Sequence, residues 1–272
     1  MEARVIRAEA LFYFVWGIGV KAGSVVLRSK QAKNNMTILI KSFATLAIVA
    51  LALFLTSCHT EDPGPLQEDR RDYSLEDFDR LEMGDAFDIE VQQGAFFKIT
   101  ARGDGRNLDD LEVKTEGTTL VIRYNKQRNR THTTYIEITM PALVQVNFSG
   151  ATKSTVTGFS DLKSLRVSLS GASKSEIDVD AASLDVALSG ASKLTLAGSG
   201  DELLANASGA SELQAFSYAV STADVNASGA SRCKVNVADR LRAVASGASS
   251  VTYRGSPTVD GDSSGGSKIE QD

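Results

Sequence analysis

"VSLSGASKSEIDVD" at residues 167–180 alternates apolar and polar side chains on both sides of a Ser-Gly pair, and its "LSGAS" returns unchanged at 188–192. Ser-Gly pairs stand at 149–150, 170–171, 189–190, 208–209, 228–229, 246–247 and 264–265, an almost even spacing. Self-similarity at a period near 19 marks a repeat architecture, in which one unit cannot bury its apolar face alone and must stack on its neighbours.

The grammar around each pair is constant. Ahead of it, apolar residues occupy every second place: Val144, Val146, Phe148; Leu165, Val167, Leu169; Leu184, Val186, Leu188; Leu203, Ala205, Ala207; Ala223, Val225, Ala227; Leu241, Ala243, Ala245. Behind it they resume four and six places after the glycine, as in Leu194 and Leu196, Leu213 and Ala215, Cys233 and Val235, Val251 and Tyr253. A period of two is a strand with one buried face. Each repeat is therefore expected to run strand, Ser-Gly corner, strand, then a second corner such as "DAAS" (180–183) or "GSGDE" (198–202).

The corner glycines Gly150, Gly171, Gly190, Gly209, Gly229 and Gly247 supply a positive φ that a Cβ disfavours. The serine before each is expected to bond loose backbone groups and to form a ladder of hydroxyls, and the alanine after each to turn inward. Seven coils of this kind, without helical segments between them, fit an all-β, single-stranded β-solenoid, and at about 4.8 Å per rung they make a rod on the order of 30 Å long.

Composition agrees. The chain has 272 residues, 42% hydrophobic and 23% charged, with aromatics at only 7%, so its core must be built from small and β-branched side chains. The net charge of −5 hides an asymmetry, because residues 1–57 hold seven basic and two acidic side chains and the remainder is net acidic. Phosphate binding needs a basic field, so nucleic acid is excluded as a partner.

The N-terminal stretch reads as an address. From Met36 come Lys41, an apolar run from about Ala44 to Leu55, and then Cys58. That run suits the apolar region of a secretory signal better than a membrane span. Leu55, Thr56, Ser57 and Cys58 resemble the lipobox of bacterial lipoproteins, a resemblance that implies signal-peptidase cleavage before Cys58 and acylation of its thiol. The domain plan is accordingly an upstream segment at 1–35 preceding the true start at Met36, a lipoprotein signal peptide at 36–57, a flexible tether at 58–73, and a β-helix domain at 74–272. Within that domain, 74–140 holds the N-terminal cap and first coils, and 141–272 the repeats. The acidic pair Glu61 and Asp62 resembles surface-export signals of envelope lipoproteins. With Cys58 lipidated, Cys233 has no intramolecular partner, and it holds the same inward place as Leu194, Leu213, Val251 and Ile269.

The stretches "FDRLEMGDAFDIEVQQG" (78–94), "LEVKTEGTTLVIRY" (111–124), "IEITMPALVQVNFSGATKSTV" (136–156) and the recurring "SGAS" together resemble the DUF2807 family, known as "putative auto-transporter adhesin, head GIN domain". The resemblance covers roughly 75–256. It implies a right-handed parallel β-helix with an N-terminal β cap, carried by envelope lipoproteins and anchored by a lipid at the outer membrane, facing the periplasm or the surface.

Motifs for chemistry are few. "GDSSG" (261–265) matches a nucleophile elbow, yet no helix can follow it and His59 and His132 are its only candidate bases, so Ser263 and Ser264 are read as non-catalytic. "GDGRNL" (103–108) and "GSGDEL" (198–203) open like dinucleotide loops but introduce no βαβ unit and read as turns. No residue set calls for a metal or a cofactor. One outward feature stands out: three places after each glycine come Lys153, Lys174, Lys193, Glu212, Arg232, Ser250 and Lys268. In register these would make a largely basic stripe able to meet acidic glycans or lipid head groups, or simply one that keeps the corner soluble. The expected function is a non-catalytic, adhesin-like binding or structural module, with the membrane as partner through Cys58 and glycans or another envelope protein at its face. The alternatives are a polysaccharide-processing β-helix enzyme and an envelope scaffold.

Overall fold

The computed structural model describes residues 64–272. Its N-terminal part contains β1 (Glu68–Tyr73), β2 (Arg80–Met83), β3 (Asp88–Gln93), β4 (Lys98–Asp104), one helical turn α1 (Gly105–Leu108), β5 (Leu111–Glu116), β6 (Thr119–Tyr124) and β7 (Tyr135–Met140). The repeats supply β8 (Gln145–Phe148), β9 (Lys153–Leu169), β10 (Lys174–Leu188), β11 (Lys193–Ala207), β12 (Glu212–Ala227), β13 (Arg232–Ala245), β14 (Ser250–Arg254), β15 (Thr258–Ser263) and β16 (Lys268–Gln271). All belong to one sheet, wound as a parallel β-solenoid of about seven turns.

The long strands pair in parallel with the next coil, and the Ser-Gly period sets the register: Lys174 lies beside Lys193, Leu184 beside Leu203, Leu188 beside Ala207. The expected second corner is not a break. β9 to β13 run through it as single strands of 14 to 17 residues, and "GSGDEL", expected as a turn, lies inside β11. The chain bends there by slipping phase. In β10 the buried places are Ser175, Ile177, Val179 and Ala181, then Leu184, Val186 and Leu188. The β10–β11 ladder pairs up to Asp180 and Ser199 and resumes at Ser183 and Glu202 on the far side of the bend.

Unequal coil lengths are absorbed as bulges. The coils that follow Gly171 and Gly190 are equal in length, and their strands β10 and β11 pair without irregularity. The longer coil that follows Gly150 pairs with its shorter neighbour through register shifts at Asp178/Val179 and Val179/Ala181. The coils that follow Gly190 and Gly209 differ by a single residue and shift once, between Thr195 and Ala197. The next pair differs by more and shifts at both Ala215/Ala219 and Val220/Thr222. An extra residue that cannot pair is pushed out of the ladder.

The tight corner repeats almost without change. Gly150, Gly171, Gly190, Gly209, Gly229, Gly247 and Gly265 have φ between 71° and 75°. Each rung bonds to the one before through the residue after the glycine, as in Ala191 N to Gly171 O and Ala210 N to Gly190 O, at 2.7 and 2.8 Å. The serine before the glycine bonds backbone as expected at Ser208, which donates to Leu188 O at 3.3 Å, and at Ser228, which donates to Ala207 O at 3.5 Å, but two other features of the corner differ. Ala172, Ala191, Ala210, Ala230 and Ala248 are exposed rather than turned inward, and the buried hydroxyl ladder belongs to the following residue: Thr152, Ser173, Ser192, Ser211, Ser231 and Ser249. Polar satisfaction explains the choice. A hydroxyl inside the bend can donate to carbonyls there, as Ser231 does to Ala207 O at 3.2 Å and Ser249 to Ala227 O at 3.0 Å, and a methyl cannot. Thr152 and Ser211 are the members whose hydroxyls find no partner.

The first coils depart from chain order. β2 pairs in parallel with β8 and β3 with β9, so the β2–β3 coil sits on the first repeat; β6 and β7 pair in turn with β2 and β3. Antiparallel β5 on β6 and β4 on β7, with β1 beyond β4, then flank that end. Residues 68–73, expected as part of the tether, are thus a strand of the sheet, with Glu68 beside Asp104 and Tyr73 beside Ile99. The corner ladder also gains a rung without a Ser-Gly pair. Asp85, at φ 63°, stands beneath Gly150, and its carbonyl accepts from Ala151 N at 2.6 Å. Aspartate tolerates the left-handed region better than most side chains.

The core is continuous from Phe78 to Val251. Small side chains take part in it, among them Ala205, Ala207, Ala243 and Ala245. Tyr218 is the largest buried side chain; it lies where Gly200 leaves room, its hydroxyl donates to Ala181 O at 3.1 Å, and burial pushes its phenol up to about 12. Among the described residues no helix is long and apolar enough to cross a membrane.

Candidate functional site

Two outward ladders flank the tight corner. On its C-terminal side the register places Asp88, Lys153, Lys174, Lys193, Glu212, Arg232, Ser250 and Lys268 in one row. Parallel pairing sets adjacent members about 4.8 Å apart. The row is less uniformly basic than its composition suggests. Lys193 Nζ meets Glu212 at 3.2 Å, and Glu212 is held below the usual glutamate range by the Gln214 amide and by Lys193. Asp88 closes one end, and Glu176 stands two residues beyond Lys174 on the same face. Lys153, Lys174, Arg232 and Lys268 are exposed and, among the described residues, make no ion pair.

On the N-terminal side of the corner runs a groove of about 400 Å³. Its floor is the row Asn147, Ser168, Ala187, Asn206, Asn226 and Val244, with the corner serines along one wall. Neighbouring amides touch, Asn226 Nδ2 donating to Asn206 Oδ1 at 3.3 Å. "NFSG", "NASG" and "NASG" carry this row openly in the sequence at 147–150, 206–209 and 226–229. Strand alternation marks those asparagines only as outward-facing. That they line a concavity depends on the bend of the coil.

The cap holds the densest polar cluster. Asp104 is buried and accepts from Arg106 Nη2 at 2.6 Å, Arg106 N at 3.0 Å and Gln67 N at 3.2 Å. The Arg106 guanidinium, with those backbone donors, holds its carboxyl well below the usual range. Arg130 pairs with Asp110 and lies over the Tyr124 ring, 3.4 Å from its centroid. His132 Nε2 lies 3.2 Å from Gly64 O. These contacts fasten residues 64–67 and the 125–134 loop to the cap, and "GDGRNL" closes into α1 with Asp104 as its N-cap.

Ser264 occupies the corner ladder of the last coil, with His132 at the opposite end of the stack. Among the described residues no group of three or more His, Cys, Asp or Glu is placed to hold a metal ion. Cys233 is buried between Leu213 and Val251, where burial pushes its thiol up to about 12. Cys58, the lipobox residues Leu55, Thr56 and Ser57, the signal segment and the Glu61–Asp62 pair lie outside the described residues.

Residues 77–257 match the DUF2807 family, described as "putative auto-transporter adhesin, head GIN domain". The chain belongs to this family. Like this GIN-domain chain in fold are crystal structures of a "putative adhesin" from Bacteroides fragilis (TM-score 0.66, 19% identity, covering 76% of this chain and 97% of that one) and a "putative lipid binding protein" from Parabacteroides distasonis (0.62, 19%, 75% and 96%). A third, a "putative adhesin" from Parabacteroides merdae, gives 0.59 at 16% identity over 75% and 96%. At these identities the likeness establishes the fold. No curated protein matches the sequence.

Proposed function

We propose that this chain is a non-catalytic, adhesin-type binding module of the cell envelope, held by a lipid on Cys58 at the outer membrane and facing the periplasm or the surface. The observation that carries it is the pair of in-register outward ladders on a rigid β-solenoid of the DUF2807 family. A solenoid presents repeated groups along an extended face, a geometry suited to engaging a polymer or a surface. The short corners between coils build no walls around a reacting atom. The lipobox resemblance at Leu55–Cys58 supports the anchor and the acidic pair Glu61–Asp62 supports surface display.

In this reading Lys153, Lys174, Lys193, Arg232 and Lys268 face acidic glycans. Reversing three of them together in K153E/K174E/K193E is expected to weaken binding to uronate-bearing or sulfated glycans by tenfold or more. Each exposed ion pair contributes up to about 1 kcal/mol, and the loss is largest at low salt. Unchanged binding would remove the stripe from the mechanism. A single protein captured from envelope extract, with no glycan bound, would favour the scaffold. Metabolic labelling with a palmitate analogue, lost in Cys58→Ser, tests the anchor.

A further inference from the structure

The groove beside the corner has a composition unlike the rest of the surface. Its lining contains no charged side chain, in a chain that is 23% charged. On the same face, two residues back along each strand, the charges cancel in pairs: Arg166 with Asp185 at 3.0 Å and Arg242 with Asp224 at 2.9 Å. Between those pairs stands Leu204, 38% exposed, in register with Asp185 and Asp224. The face thus offers amide and hydroxyl groups in the concavity and an apolar contact at its rim, while the floor row ends on carboxylates, Glu82 beside Asn147 and Asp262 beside Val244.

An anionic ligand gains nothing in such a place, since a charge removed from water needs a partner. A long apolar ligand would leave the amides unpaired. Beyond the one Asn226–Asn206 contact, the Nδ2 donors of Asn147 and Asn206 meet no protein acceptor among the described residues. The floor positions recur at about 4.8 Å over six coils, with Asn147, Ser168, Asn206 and Asn226 polar and Ala187 and Val244 apolar, so the floor extends about 24 Å. That repeat is close to the advance of one sugar ring in an extended β-linked chain, whose edges carry hydroxyls and whose faces are C–H.

Resting on the adhesin reading, we infer that this groove, with Asn147, Asn206 and Asn226 as hydrogen-bonding floor and Leu204 as apolar rim, binds an extended, uncharged, β-linked polysaccharide of four or more sugars. The basic row on the other side of the corner is a separate face.

The test uses detergent-solubilised full-length protein titrated with unbranched β-1,4-linked hexasaccharides of glucose and of N-acetylglucosamine, with a hexagalacturonate as the charged counterpart. At least one neutral hexamer binds. N206A/N226A weakens it about tenfold, since each neutral hydrogen bond contributes roughly a threefold to tenfold effect. Ala187→Trp, an exposed position on the floor, blocks it. Failure of both neutral hexamers to bind overturns the groove as a site, as does equal binding by N206A/N226A. If the galacturonate binds while the neutral hexamers do not, the groove inference falls and the adhesin reading stands. If no glycan of either class binds, both fall.

Discussion

Replacing Gly190 by alanine separates the two demands that the corner makes. A Cβ built there lies 2.6 Å from the Gly171 carbonyl oxygen and 3.1 Å from its nitrogen, at φ 71°. The left-handed conformation alone costs about 1–2 kcal/mol for a residue with a Cβ. The contact forces the rungs apart and weakens the 2.7 Å bond from Ala191 N to Gly171 O, a further loss of about 1 kcal/mol or more. The sum, about 2–4 kcal/mol, corresponds to a fall in Tm of roughly 5–15 °C for a domain of this size. Gly117→Ala is the internal control. Its φ is 61° and nothing lies within 4 Å of the added Cβ, so it carries the conformational cost without the contact. Far-UV circular dichroism during heating and urea titration reads both. The distance from the added Cβ to the oxygen beneath grows steadily along the stack, from 2.2 Å at Gly150 through 2.6 Å at Gly190 to 3.0 Å at Gly265. The destabilisation should therefore decline in that order. Equal losses in Gly190→Ala and Gly117→Ala would refute the stacking argument, leaving only backbone conformation.

Three further outcomes are expected. Cys233, buried and with its thiol pushed up to about 12, should resist a thiol probe at pH 8 until the protein is unfolded; labelling at the rate of a free thiol would show that the core opens there. Asp104→Asn should cost about 2 kcal/mol at pH 7, because a buried acceptor of charge-assisted bonds is lost. Since its folded carboxyl is held below the ordinary value of 3.8, that contribution is present above this pH and fades as pH falls through and below it. Urea midpoints for both proteins from pH 7 to pH 2.5 should accordingly converge on the acid side, and a gap that widens instead would contradict the assignment. Tyr218→Phe should lose about 1 kcal/mol, the net contribution of the hydroxyl's bond to Ala181 O, with no change of fold.

Much of the repeat region was legible because its rules are local. Alternation placed Leu165, Val167 and Leu169 inside, the Ser-Gly spacing set which strands are neighbours, and even the bulges follow from coils of slightly different length. The corner was harder. Residue order shows one small residue before the glycine and two after it, and only the bend's own geometry decides that the alanine faces water and the second serine faces the carbonyls. "MGDAF" hid its rung for the same reason: Asp85 does a glycine's work in a positive-φ position, without the Ser-Gly pair that marks the others.

Residue order alone sets the period, the inward and outward faces and the glycine positions, because each depends on a residue and its near neighbours. Closure in three dimensions settles that β3 pairs with β9, far along the chain from it, and that β4 and β5 flank the cap in the opposite direction. It also brings Asn147, Asn206 and Asn226 into one groove. Those placements arise from closing the coil and stacking it, a condition on distant backbone groups that no local pattern records.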